Sequence, residues 1–215
     1  MGRAGGEENG VAKRAAATTA NDASDDSSER PHRRELILEA AIALFHERGF
    51  DATGIDEIGA AAGITGPGVY RHFASKQDIL DEAVRAGTKE VLQTEREIVE
   101  HARSADETVD RLVAEVVQQV VDHPALVAVL LRERRNLSPA GRRAWNKALR
   151  TYIHDWVGPL RSLQPDLSET EAETTVYAAM GIVMAIAQYD GGLERSALAA
   201  RLRGMLRAAV LAEPR

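Results

Sequence analysis

The stretch "GITGPGVYRHFASKQDIL", residues 63 to 80, sets glycine and proline between two runs of helical periodicity. Upstream, "RRELILEAAIALFHERGF" places Leu36, Ile37, Ala40, Ala41, Leu44 and Phe45 at helical spacing, and Gly49 follows as a left-handed stop. Thr53 is expected to cap a short second helix, with Asp56 as the capping-box acid and Ile55, Ile58, Ala61 and Ala62 inward. Gly63 ends that helix and supplies the positive φ of a sharp turn. Thr65 caps the next helix, expected to run through Val69, Tyr70 and Phe73, and Ser75 caps a fourth over 76 to about 101. Helix, tight turn, helix is the layout of a helix-turn-helix, and it leaves little freedom for the rest of the N-terminal third.

The same stretch carries groups suited to a polyanion. Gly66, Pro67 and Gly68 form a thin first turn whose backbone can approach a groove or a phosphate. Tyr70, Arg71 and His72 follow one turn later, and Lys76 opens the next helix. A hydroxyl, a guanidinium, an imidazole and an ammonium can all donate to phosphate oxygens. Arg33, Arg34, Arg71 and Lys76 are expected on one surface, with most of the acids turned away. That segregation matters because the net charge is −6, against a generally basic binder.

The remaining sequence reads as helix throughout, so the fold class is all-α. Aromatics are only 4 % of the 215 residues, and no alternating strand pattern emerges. Residues 1–30 hold almost no large apolar side chain and are expected to be a disordered tail. Residues 31–78 form the DNA-binding head, and 79–215 a helical body. Pro124 and Ser138 open helices, Ser168 and Glu171 make a capping box, and Gly158-Pro159 is expected to break the helix that contains it. The chain has no cysteine, no apolar run of membrane-spanning length and no apolar signal-peptide core, so a cytoplasmic location is expected. His154 and Asp155 are adjacent and point to different helix faces, so no metal site is expected; nor is any cofactor or catalytic constellation.

The string "AAIALFHERGFDATGIDEIGAAAGITGPGVYRHFASKQDIL" resembles the N-terminal domain of tetracycline-repressor (TetR) family transcription regulators. The likeness covers residues from about 33 to 80. It implies a three-helix DNA-binding head, a helical ligand-binding and dimerisation domain, and a homodimer on a palindromic operator. It also implies that Thr65, Gly66, Tyr70, His72 and Lys76 meet DNA, mostly its backbone. Thr53 joins Arg33, Arg34, Pro67, Gly68 and Arg71 in the expected interface. Gly54 stands where the family usually has Thr, and Gly59 where it usually has Ala. Each is expected to weaken the second helix by about 1 kcal/mol.

For the body, Val116, Val120, Leu126, Leu130, Trp145, Leu149, Tyr152, Trp156, Met180 and Met184 are expected to line an effector cavity. Arg134, in a run with Arg132, Arg135, Arg142 and Arg143, either stays solvated or receives an anionic head group at the cavity mouth. The segment "LLRERRNLSPAGRRAWNKALRTYIHDWV" loosely resembles actinobacterial regulators that sense acyl-CoA thioesters. The last two helices are apolar enough to join two copies in a four-helix bundle. A ligand-responsive repressor is the expectation. The alternative is a small-molecule-binding helical protein or enzyme whose head no longer binds DNA.

Overall fold

In the computed structural model the backbone is described for residues 22–189 and 191–212, and side chains from residue 30 onward. Nine α-helices make up the fold among these residues: α1 Asp22–Arg48, α2 Ile55–Ala61, α3 Gly66–Val69, α4 Lys76–His101, α5 Ala105–Asp122, α6 Pro124–Arg132, α7 Pro139–Leu163, α8 Glu169–Ala187 and α9 Arg195–Val210. A 3-10 segment, Glu133–Asn136, joins α6 to α7.

Local chemistry sets most boundaries. Ser75, Ser104, Ser138 and Ser168 each turn a hydroxyl to accept the third backbone N–H of the helix they open. Glu171 reaches back to Ser168 N at 2.9 Å and completes the expected capping box. Gly49 and Gly63 hold φ of 84° and 70°, as the two stops require.

Several boundaries differ from expectation. α1 begins at Asp22, inside the segment read as a tail; residues 1–21 lie outside the described residues. Gly158-Pro159 does not break α7, which runs through to Leu163. Trp156, Val157 and Leu160 are buried on both sides of the proline, and that packing holds the helix course. Thr53 is not the cap of α2. Gly54 is, and its N–H donates to Glu57 Oε2 at 2.8 Å.

Two apolar clusters organise the molecule. One unites α5, α7, α8 and α9 around Val109, Leu112, Val117, Trp156, Leu160, Val176 and Leu202. The other unites α1, α2, α3 and the start of α4 around Ile37, Phe45, Ile58, Val69, Phe73 and Ile79. The second cluster also takes Val129, Leu130, Leu137 and Trp145 from the far side of residue 78. The head core is therefore closed by α6 and α7, and packing is continuous across the expected boundary at 78. No single helix among the described residues is long and apolar enough to cross a membrane.

Candidate DNA interface and effector cavity

The turn is built by close packing of α2 on α3. A Cβ at position 59 would lie 3.0 Å from the backbone of Thr65 and Gly66. Glycine there is what lets the start of α3 rest directly on α2, so Gly59 serves packing at the expense of helix propensity. Thr65 accepts Gly68 N–H on its hydroxyl at 3.2 Å, and Pro67 follows in the first turn, where it lacks no needed donor. α3 is shorter than expected. It yields at Tyr70 to a tighter turn, in which His72 N and Phe73 N both donate to Val69 O.

Val69 and Phe73 are buried in the head core, as their spacing predicts, whereas Ala61 is exposed. Anchored this way, the turn leaves Tyr70 57 % exposed and Arg71 exposed beside it. Thr65 and Pro67 are exposed; Gly66 and Gly68 are buried, with the Asp56 carboxylate directly over Gly66.

Several residues assigned to the interface are engaged inside the protein. Lys76 was expected to clamp a phosphate. Its Nζ donates instead to Phe50 O at 2.6 Å, Thr53 O at 2.7 Å and Asp51 O at 3.4 Å, and sits 4.4 Å from the Phe50 ring centre. It ties the α1–α2 loop to the start of α4. Thr53 is 2 % exposed, and its hydroxyl donates to Gly49 O at 2.8 Å, so it braces the same loop. Arg34 lies 4.1 Å from the Phe73 ring centre and donates to His72 O at 2.6 Å, with Glu82 3.7 Å away.

The charges around the end of the turn differ from the expected set. His72 is held below its ordinary pKa, first by partial burial and then by the fields of Arg71, Arg30, Arg34 and Arg33. The fields of four guanidinium groups thus reach one imidazole at the end of the turn. Lys76 is replaced in that set by Arg30, which sequence reasoning placed in the tail. Asp78, Asp81 and Glu82 of α4 border the cleft behind His72, so acids approach this surface from one side.

A partly open cavity of about 120 Å³ lies between α4, α5, α6, α7 and α8. Val116, Leu130, Trp145, Leu149, Tyr152 and Met180 line it, as expected. Val120 is buried in the core away from it, Leu126 packs against Gly87, and Met184 is exposed on the outer face of α8. Trp156 borders a smaller neighbouring cavity. Arg134 lies exposed in the 3-10 segment and does not reach the cavity. Nor do its neighbours: Arg132 donates to Phe45 O at 2.5 Å and His46 O at 3.0 Å, and Arg142 to Leu137 O at 2.6 Å.

The sequence reading missed the polar part of the lining: Thr88, Glu95, Glu115 and Gln119. Glu95 is fully buried, and burial pushes its carboxyl up to about 8. Burial likewise holds the Tyr152 hydroxyl well above its ordinary pKa. A signal for Glu95 was present in the sequence. It stands on the stripe Val84, Val91, Ile98, where helical spacing calls for an apolar residue. No group of three or more His, Cys, Asp or Glu side chains among the described residues could hold a metal ion.

A glycine turn between capped helices, an exposed phenol and guanidinium just beyond it, and a cavity-bearing helical body define a helix-turn-helix transcription regulator. Residues 37–83 match the model of the bacterial regulatory proteins of the tetR family. The HTH-type transcriptional repressor KstR2 of Rhodococcus jostii is 32 % identical over 139 residues, 64 % of this chain and 68 % of that protein. Two solved structures share the fold. The ketosteroid transcriptional regulator KstR2 of Mycobacterium tuberculosis superposes with a TM-score of 0.70 at 24 % identity, over 81 % of this chain and 92 % of that one. AibR in complex with isovaleryl coenzyme A and operator DNA gives 0.69 at 22 %, over 80 % and 97 %. The chain belongs to the tetR family; it is a DNA-binding transcription regulator and not an enzyme.

Proposed function

We propose that this regulator is a repressor that acts in the cytoplasm as a homodimer on a palindromic operator and leaves it when a small effector fills the body cavity. The observation that carries the reading is the exposure of Tyr70 and Arg71 just past the Gly63 turn, with the positive fields of Arg71, Arg30, Arg34 and Arg33 felt at His72 beside them. Cations and a hydroxyl on one face suit a phosphate backbone, whose contacts fix register on the duplex. Thr65 and Pro67, exposed at the start of α3, enter the groove, with Tyr70, Arg71 and His72 on flanking phosphates; Gly66 and Gly68 are buried and shape the turn from within.

One small head reads one half-site, so two must be joined. α8 and α9 offer the seam. Tyr177, Met184 and Met205 are 51 %, 36 % and 48 % exposed, and a Cβ at Gly181 or Gly204 would meet nothing within 4 Å. Large apolar and small residues on two adjacent helices suit a four-helix bundle with a second copy. The effector, apolar or amphipathic, binds best to a conformation whose heads are spaced wrongly for successive major grooves. The repressor sense follows the KstR2 relatives.

The test is selection of duplexes from a random-sequence pool, followed by anisotropy titration and sedimentation. An inverted repeat bound by one dimer, with weaker binding by Arg71→Ala, is the expected result. Failure to enrich any sequence, or a monomer at binding concentrations, would overturn it.

A further inference from the structure

Two side chains of the cavity lining each carry a buried polar atom without a hydrogen-bond partner among the described residues: Glu95 Oε2 and Trp145 Nε1, the latter on a side chain that also borders the cleft behind His72. Both side chains line the same largely apolar space, Glu95 from α4 and Trp145 from α7. Glu95 is held in place through its other oxygen, which accepts from Trp156 Nε1 at 2.9 Å. A buried donor or acceptor without a partner is disfavoured, and two at one cavity point to a molecule that completes them.

The chemistry of that molecule follows from the lining. Glu95 and Glu115 are both present, no basic side chain borders the cavity, and Asp155 adds to the negative field at Glu95. An anionic group would meet carboxyls and no counter-charge. A cation would need an ionised Glu95, yet burial, with Asp155 and Glu115, keeps the proton on that carboxyl to about 8. A cationic head also offers the Trp145 N–H no acceptor. With Oε1 accepting from Trp156, the proton sits on Oε2 and makes it a second donor. Gln119 amide nitrogen is already committed to Glu115 Oε1 at 2.9 Å, and Tyr152 stands beside Glu95 as a neutral phenol.

We infer that the effector is an uncharged, largely apolar molecule with carbonyl-type oxygen, which accepts hydrogen bonds from the Glu95 carboxyl and the Trp145 indole. The inference rests on the cavity being the effector site. A ketone, ester or lactone fits this description; a free carboxylate or an amine does not.

Four probes of similar size separate the classes: acetophenone, ethylbenzene, benzoate and benzylammonium. Binding to the full chain is measured by calorimetry, and the indole N–H signals are followed by NMR. The chain has 2 tryptophans, Trp145 and Trp156, so each signal is assignable by one substitution. Acetophenone is expected to bind about tenfold more tightly than ethylbenzene, the scale of one net hydrogen bond, and more tightly still than either ion. It should shift the Trp145 indole signal. Its affinity should fall as pH passes upward through about 8 in the wild type and stay flat in Glu95→Gln, which keeps a donor without an ionisable proton. Glu95→Met should erase the preference over ethylbenzene; should that variant not fold, the pH profile of Glu95→Gln still decides. Equal or tighter binding of benzoate or benzylammonium, or an unmoved Trp145 signal, would overturn the inference. Acetophenone binding with this pattern but without effect on the protein–operator complex would leave the inference standing and overturn the effector mechanism.

Discussion

The head and the body use buried polarity in opposite ways. In the head, the ammonium of Lys76, the guanidinium of Arg34 and the hydroxyl of Thr53 all find backbone carbonyls. Charge there is spent on holding loops, and the result is a rigid presentation of Tyr70 and Arg71. Around the cavity, Glu95 Oε2 of α4 and Trp145 Nε1, on the side of α7 that also packs on the head, are left without partners among the described residues; in the head itself His46 Nδ1 is the exception. A satisfied network specifies one arrangement, and an unsatisfied one does not. On the proposed function, the contrast separates a part built to be stiff from a part built to respond.

Four measurements bear on that contrast, in falling order of effect. The largest is the pH dependence of body stability. Glu95 holds its proton to about 8 when folded, against an ordinary value of 4.5. Below the lower value it is protonated in both states and imposes no penalty. Between the two, the folded protein retains a proton that the unfolded chain releases, so stability falls with rising pH by about 1.4 kcal/mol per unit. Glu95→Gln should flatten that slope in chemical denaturation from pH 5 to 8, values that lie within this window. An unchanged slope would mean that the carboxyl is effectively solvated.

Lys76→Ala comes next. Its ammonium has three carbonyl partners, and bonds to a charged donor contribute about 2 kcal/mol. The head should loosen, and operator binding should fail together with thermal stability. Loss of DNA affinity at unchanged stability would return Lys76 to the phosphate contacts. Gly59→Ala should destabilise by about 1–3 kcal/mol through overpacking, although helix propensity alone gives the opposite sign. The smallest effect on stability belongs to Arg71→Ala, expected within about 0.5 kcal/mol for a solvent-facing side chain. On DNA it should lower the salt slope by about 0.9, the value of one phosphate contact.

What the sequence made legible was local. Thr65, Ser75, Ser138 and Ser168 announce helix starts because each acts on an N–H three residues away. Gly49 and Gly63 announce stops for a similar reason. The apolar cavity wall was largely legible because helical spacing points those residues inward. The partners of Lys76 were not, since they lie 23 to 26 residues upstream and meet it only after α1 and α4 pack. Arg30 was missed because its surroundings in the sequence are those of a tail. Gly59 was misjudged because propensity concerns one helix, and the contact that needs a bare Cα comes from another.

The grip of Arg132 on the last carbonyls of α1 has a mechanical corollary. Leu130 and Leu131 form part of the cavity wall, and the next residue along the chain is the clasp on the head. Any displacement of that wall is delivered to the root of the DNA-reading unit within a single peptide unit, with no flexible segment between to absorb it.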